Sequence, residues 1–316
     1  MRVLISLVAA ALIAFPGAAT AQAAKQKPVP LAELRAELGR PGDRYLTTAA
    51  GVELRYRDEG KGPVLLLLHG SRSTLSSWDP VVAKLAKHYR VVRYDQPPTG
   101  LSGPLSKEMV AAVGAPENLV LQFLDALKID KVTLLGTSSG GTLSYYFAAT
   151  YPERVDGLIL SNVPSDPVSE LRPVLSVDLI AAAERTKANG LEDRAFWRSY
   201  FEWLWGDKSR ITEQQIDAYY RYNLRGPDPQ TLSLLALSSD RTATMARLAG
   251  VKAPVLVIWG MRDPVLPPYL GDKLYGYLKN ARSRSFIALE DVGHYPPVEV
   301  PERYADLVLA WLTAAR

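Results

Sequence analysis

Cysteine is absent from this 316-residue chain, and histidine occurs only three times, at His69, His88 and His294. The first absence excludes disulfides and any zinc site built on thiolates. The second argues against a cluster of imidazoles holding a metal. Neither sign of charge dominates: 37 lysines and arginines stand against 33 aspartates and glutamates, a formal net charge of +4. Those cations form no dense block, so nucleic-acid binding is not expected. No G-x-x-x-x-G-K-[S/T] phosphate loop occurs. What is present is an ordinary globular composition, 47% hydrophobic and 22% charged, long enough for one large α/β domain with an insertion.

The first two dozen residues stand apart. Arg2 supplies a positive start, residues 3–15 are apolar, and Ala19-Thr20-Ala21 or Ala21-Gln22-Ala23 offers a small-residue cleavage site. Residues 1–23 therefore read as a signal peptide, with a short uncleaved anchor as the alternative. The expectation is an exported protein, periplasmic or secreted, with no stable membrane insertion after cleavage. Residues 24–44 read as a flexible linker, over 25–30, and a short helix, over 31–38. Strands are expected near 45–48, 52–57, 64–68 and 91–94, with helices over 77–87 and 119–127. That alternation predicts an α/β fold, a mostly parallel central sheet flanked by helices, over residues 45–162 and 249–316.

The most informative stretch is Gly136-Thr137-Ser138-Ser139-Gly140. The apolar Val132-Thr133-Leu134-Leu135 before it reads as a buried strand. Leu143, Phe147 and Tyr151 behind it recur at four-residue steps, as on a helix face. A G-x-S-x-G between strand and helix is the sharp turn that lifts a serine hydroxyl above a parallel sheet. A serine hydroxyl is a poor nucleophile and needs a base. His88 lies at the polar end of a helix and reads as solvated. His69 ends the strand over 64–68 and reads as structural. His294, in the loop between the strand near 285–289 and the last helix, is left as the base. The acid that orients it is expected to be Asp263, just beyond the strand over 255–259, with Asp166 as a rival after the preceding strand. The oxyanion formed by attack needs preorganised N–H donors. These are expected from Ser139, at the helix start, and from Ser71, in the His69-Gly70-Ser71-Arg72 loop. Arg72 reads as a surface arginine, with a substrate contact as its alternative.

Taken together these motifs resemble the epoxide hydrolase and haloperoxidase-like branch of the α/β-hydrolase superfamily. The resemblance runs through His69-Gly70, Trp78 with Pro80, Arg90-Val91-Val92-Arg93-Tyr94-Asp95, Glu153-Arg154-Val155, Trp259-Gly260-Met261-Arg262-Asp263 and Gly293-His294. Two departures matter. Epoxide hydrolases and haloalkane dehalogenases carry an aspartate as nucleophile, and Ser138 in its place argues for acyl transfer to water. Pro98 stands where relatives usually carry a glycine, which stiffens the loop beside the site. Residues 163–248 break the strand rhythm and hold Phe196, Trp197, Tyr200, Phe201, Trp203, Trp205, Tyr219, Tyr220 and Tyr222. The resemblance implies a helical cap there, inserted after the sixth strand. Its aromatics are expected to serve mainly as cap core, with some of them lining an apolar pocket for the substrate.

The resulting expectation is a serine hydrolase of carboxylic esters or lactones that carry an apolar group, working without a cofactor. Amide hydrolysis, carbon–carbon cleavage of diketones and perhydrolysis use the same constellation and stay open. A ligand-binding homologue without turnover, and an exported interaction or structural protein, are the readings from other classes.

Overall fold

The unbroken run Leu65-Leu66-Leu67-Leu68 belongs to a strand covered on both faces. The computed structural model describes residues 25–167, 170–171, 173–228, 230–232 and 240–314, so the signal segment expected at 1–23 lies outside the described residues. Leu65 and Leu67 enter one apolar cluster, and Leu66 and Leu68 enter another. Successive side chains leave a strand on opposite sides, so a doubly covered parallel strand needs a continuous apolar run.

Among the described residues the sheet has eight strands: β1 (Arg44–Thr47), β2 (Glu53–Glu59), β3 (Val64–Leu68), β4 (Arg90–Tyr94), β5 (Val132–Thr137), β6 (Val155–Ser161), β7 (Val255–Gly260) and β8 (Arg284–Leu289). Their spatial order is β1-β2-β4-β3-β5-β6-β7-β8. β2 pairs antiparallel with β1 and β4, and every other pair is parallel. The helices up to the end of the sixth strand are α1 (Leu31–Leu38), α2 (Asp79–Leu85), α3 (Lys107–Val113), α4 (Pro116–Ala126) and α5 (Ser139–Thr150). After β6 come α6 (Val177–Asn189), α7 (Arg194–Leu204), α8 (Glu213–Asn223) and α9 (Arg241–Gly250). The chain then continues through α10 (Pro268–Tyr277), α11 (Pro296–Glu299) and α12 (Pro301–Ala314).

One face of the sheet is covered by α2 and α12, through Val81, Val82, Leu85, Tyr304, Val308 and Leu312. The other is covered by α4, α5, α9 and α10, with Phe123, Phe147, Leu248 and Leu274 among the buried contacts. Helix α5 is buried from Ser139 to Ala148. A helix enclosed on all sides needs no polar face, and its N-terminus is held rigidly above the sheet. The expected α/β class and mostly parallel sheet are therefore present.

Two boundaries differ from the sequence reading. Helix α9, assigned to the cap, packs on α5, and its Leu248 is buried in the sheet-side core. The cap proper is α6 to α8, whose Leu179, Trp197, Phe201, Leu204 and Tyr219 share a separate apolar cluster. Residues 25–30 are also not a free linker. Gln26 donates its N–H to Asn189 O at 2.8 Å and Val29 donates to Leu224 O at 2.9 Å, which pins this segment across the ends of α6 and α8. Main-chain bonds of this kind leave little mark on side-chain pattern, so composition alone suggested flexibility.

Candidate active site

Ser138 stands between β5 and α5 with φ 50° and ψ −127°, a conformation that a non-glycine residue adopts only when its surroundings force it. The forcing is visible at Gly140. A β-carbon there would overlap the carbonyl oxygens of Leu68 and His69, so the start of α5 sits directly on the end of β3. At Gly136 a β-carbon would collide with Gly141 and the Ser144 hydroxyl. Both glycines of the motif are thus required by contact between backbones rather than by chain flexibility.

The ends of β7 and β8 supply the partners. His294 Nε2 lies 3.1 Å from Ser138 Oγ, and His294 Nδ1 lies 2.6 Å from Asp263 Oδ2. All three residues are buried. The second Asp263 oxygen accepts the backbone N–H groups of Val265, at 2.7 Å, and Leu266, at 2.9 Å. Asp263 Oδ2 also accepts from Asn162 Nδ2 at 2.7 Å, and Asn162 Oδ1 in turn accepts the Gly260 N–H at 2.9 Å. The carboxylate is therefore bound on every side by donors, which fixes the imidazole edge that it faces.

Ser71 and Ser139 are brought together as well: Ser71 Oγ donates to Ser139 Oγ at 3.0 Å. The Ser139 N–H is the first of α5 and has no acceptor within its own helix. Helix polarity favours negative charge at that point. A β-carbon on Gly70 would press on the Ser138 β-carbon and the Tyr295 ring, so the loop carrying Ser71 passes close over the serine.

The remaining candidates fall elsewhere. His69 accepts the Gln96 N–H at Nε2, at 2.9 Å, leaving Nδ1 to donate to Gly70 O at 2.8 Å. Burial holds its pKa below the ordinary histidine value, which keeps the ring neutral and the loop geometry constant. His88 is exposed. Asp166 is ion-paired with Arg241, at 2.6 Å, and Lys273, at 3.1 Å, so it braces α9 and α10 while Asp263 faces His294. Arg72 is not a free surface arginine: it pairs with Glu192 of the cap and lies over the rings of Phe196 and Tyr200.

Three residues that matter to this geometry escaped the sequence reading. Asn162 follows β6 and bonds across 101 positions to Asp263. Tyr295 lies with its ring 4.7 Å from that of His294, and its hydroxyl donates to Ser71 O at 3.0 Å. Glu299 ties the loop that holds His294 to the segment after α7: its Oε2 accepts the N–H groups of Gly293 and Gly206, and its Oε1 that of Asp207. Their one sequence signal was proximity to a motif, since Tyr295 adjoins His294 and Asn162 ends a strand of the sheet.

A strained serine on a strand–helix turn, a histidine and a carboxylate from later strand ends, and an eight-stranded sheet of this order agree with a family model. The model, described as alpha/beta hydrolase fold, matches residues 63–301. The chain belongs to the alpha/beta hydrolase fold family. A curated relative named 2-hydroxy-6-oxononadienedioate/2-hydroxy-6-oxononatrienedioate hydrolase, from Paraburkholderia phymatum, is 31% identical over 276 residues, 83% of this chain and 92% of the relative. Among solved structures, a thermophilic esterase from Thermogutta terrifontis superposes with a TM-score of 0.66 at 24% identity, covering 86% of this chain and 98% of the esterase. An enol-lactonase from Burkholderia xenovorans gives a TM-score of 0.65 at 24% identity, covering 85% and 100% of the two chains. This hydrolase accordingly shares its fold with both.

The cap above the site is aromatic, as its composition suggested, but the aromatics divide unevenly. Trp197, Phe201 and Trp205 are buried in the cap's own core. Trp203 is only partly buried and donates its indole N–H to Val174 O at 2.9 Å. Tyr200 adjoins the cluster that holds Tyr295 and lies under the Arg72 guanidinium. Among the described residues, no group of three or more histidines and carboxylates could hold a metal ion.

Proposed function

We propose that this hydrolase cleaves carboxylic esters or lactones bearing an apolar group, through an acyl-enzyme on Ser138. The observation that carries the reading is the hydrogen-bonded series from Ser138 Oγ through His294 to Asp263, with spacings of 3.1 and 2.6 Å. In the reaction, Ser138 Oγ attacks the carbonyl carbon as His294 Nε2 takes its proton. The negative charge that develops on the carbonyl oxygen is met by the N–H groups of Ser71 and Ser139. Asp263 keeps the other ring proton on Nδ1 and stabilises the imidazolium. His294 then returns its proton to the leaving alkoxide, and water repeats the sequence on the acyl-enzyme.

Two features favour a neutral, apolar acyl group. The cap presents Phe196 and Tyr200 beside the loop of Ser71, and the cation on that loop, Arg72, is already neutralised by Glu192. A second reading, carbon–carbon bond hydrolysis of a diketone, is favoured by the relative named for such a dioate substrate. A dianion would have to be met by unpaired cations, which Arg72 is not.

The deciding experiment is turnover of p-nitrophenyl esters from acetate to dodecanoate, alongside 2-hydroxy-6-oxononadienedioate. Esters are expected to be hydrolysed, the dioate far more slowly, and both activities to vanish in Ser138→Ala. No turnover of any ester removes the ester reading, and rapid loss of the dioate installs the second one.

Export is part of the same proposal, resting on Arg2, the apolar residues 3–15 and the alanine-rich segment that follows. The described residues contain no helix long and apolar enough to cross a membrane. Fractionated cells are expected to hold a mature chain outside the cytoplasm that begins at Gln22 or Ala24. A full-length chain confined to the cytoplasm overturns this.

A further inference from the structure

We infer that Arg72 is a positioning residue through which the cap sets the oxyanion loop, so that the donor at Ser71 is in place only when the cap is docked. The inference rests on the assignment of Ser71 as an oxyanion donor made above.

The loop after β3 is unusual in how it is held. Arg72 has φ 63°, a left-handed conformation that a long side chain adopts only when its neighbours hold it there. Its neighbours are nearly all cap residues. The guanidinium pairs with Glu192, in the segment between α6 and α7. The same group lies 5.4 Å from the Phe196 ring centre and 5.9 Å from that of Tyr200, both on α7. Arg72 O accepts from Asn223 Nδ2 of α8 at 3.1 Å. An ion pair, two ring contacts and a main-chain bond thus converge on the residue directly after Ser71.

The flanking positions repeat the pattern. Ser73 Oγ bonds to the Tyr219 hydroxyl at 2.9 Å, and Ser76 Oγ to the Tyr222 hydroxyl at 3.2 Å, both from α8. On the other side, Ser71 O accepts from the Tyr295 hydroxyl at 3.0 Å, and Tyr295 packs in the cap's apolar cluster, which Tyr200 adjoins. The carbonyl of Ser71 is therefore fixed by the base-bearing loop and the rest of the turn by the cap. The Ser71 N–H belongs to the Gly70–Ser71 peptide, whose carbonyl oxygen accepts from His69 Nδ1 at 2.8 Å and from the N–H of the cap-bound Ser73 at 3.4 Å. The donor therefore points in one direction while the turn is held, which is what preorganisation requires. In the absence of the cap contacts, an arginine at φ 63° has every reason to relax, and Ser71 would turn with it.

A merely structural arginine would cost stability on removal and leave catalysis per folded molecule unchanged. The test separates these outcomes with variants that treat backbone and side chain differently. Arg72→Gly leaves the left-handed conformation accessible but removes the cap contacts. Glu192→Gln keeps a hydrogen-bond acceptor for Arg72, whereas Glu192→Ala removes it. With p-nitrophenyl butyrate, Arg72→Gly and Glu192→Ala are expected to lower kcat about 10- to 100-fold, the order seen for a weakened oxyanion donor, with KM changed less than about 3-fold. Glu192→Gln should keep most of kcat, which marks the contact rather than the bulk as the cause.

Hydrogen exchange of a peptide spanning residues 70–77 is the companion measurement, and it needs no substrate. Exchange is expected to be faster in Arg72→Gly and Glu192→Ala than in the wild type. Unchanged exchange overturns the inference whatever the kinetics show. Faster exchange with unchanged kcat overturns the catalytic part of it. If the wild type hydrolyses no ester at all, the ester reading has failed, and the exchange data still decide whether the cap holds the loop.

Discussion

Asp263→Asn is expected to lower kcat about 10⁴-fold while leaving the fold and KM nearly unchanged. The size of the effect follows from the hydrogen bonds around the carboxylate. Val265 and Leu266 donate to Oδ1, at 2.7 and 2.9 Å, while Asn162 donates to Oδ2 at 2.7 Å beside His294 Nδ1 at 2.6 Å. An amide has one oxygen, so either orientation turns its NH2 group toward donors. With the oxygen toward Val265 and Leu266, the NH2 faces His294 Nδ1, and that nitrogen must become an acceptor. The ring proton then resides on Nε2, the atom that has to take the Ser138 proton. The base is present, correctly placed and in the wrong tautomer. Steady-state kinetics on an ester, with circular dichroism and a melting curve as controls, measure this. A variant with kcat within 10-fold of the wild type would show that Asp263 does not govern the tautomer.

Much of this site was legible in the sequence because its parts are local. Gly136 to Gly140 is a turn whose neighbours on both sides declare strand and helix, and the run from Leu65 to Leu68 shows a strand with two covered faces. The order of Ser138, Asp263 and His294 could be read because each follows a strand at the same end of the sheet. Asn162, Glu299 and Arg72 were not legible in this way. Each acts through partners far along the chain: Asn162 on Asp263, Glu299 on Gly206 and Asp207, Arg72 on Glu192. Nothing in the residue types near Arg72 distinguishes an arginine tied to a cap from one in solvent, since long charged side chains are usually exposed. The same holds for α9, whose assignment to cap or core depends on whether Leu248 meets the sheet-side cluster.

The cap is also more than a cover over the pocket. Its aromatic residues mostly fill its own interior, and what reaches the core is a set of polar and ring contacts to two loops, one carrying Ser71 and one carrying His294. His294 donates its backbone N–H to Leu204 O, the last residue of α7, at 2.9 Å. A β-carbon on Gly293 would overlap that same carbonyl, so the two chains touch backbone to backbone. His294 is thus mounted on the cap as much as on β8.

Glu299→Ala is accordingly expected to cost both stability and activity. The side chain is buried, and each oxygen is used twice. Oε1 accepts from the Asp207 N–H and from Arg210 Nη1, each at 3.0 Å, and Oε2 accepts from the N–H groups of Gly206, at 3.1 Å, and Gly293, at 2.7 Å. Alanine leaves three backbone donors without their acceptor and removes one partner of Arg210. Losing one side of a buried charged network costs about 3–5 kcal/mol, which in a chain of this size lowers Tm by roughly 10 °C. Because Gly293 adjoins His294, kcat should fall in the same variant, and Glu299→Gln, with one acceptor oxygen retained, should lie between it and the wild type. Thermal melting followed by ester kinetics well below the transition gives both quantities. A Tm within about 2 °C of the wild type would mean that the histidine loop is held without Glu299. Paired with Asp263→Asn, the experiment separates two kinds of support: one variant loses turnover in an intact fold, and the other loses turnover because the cap and the base loosen together.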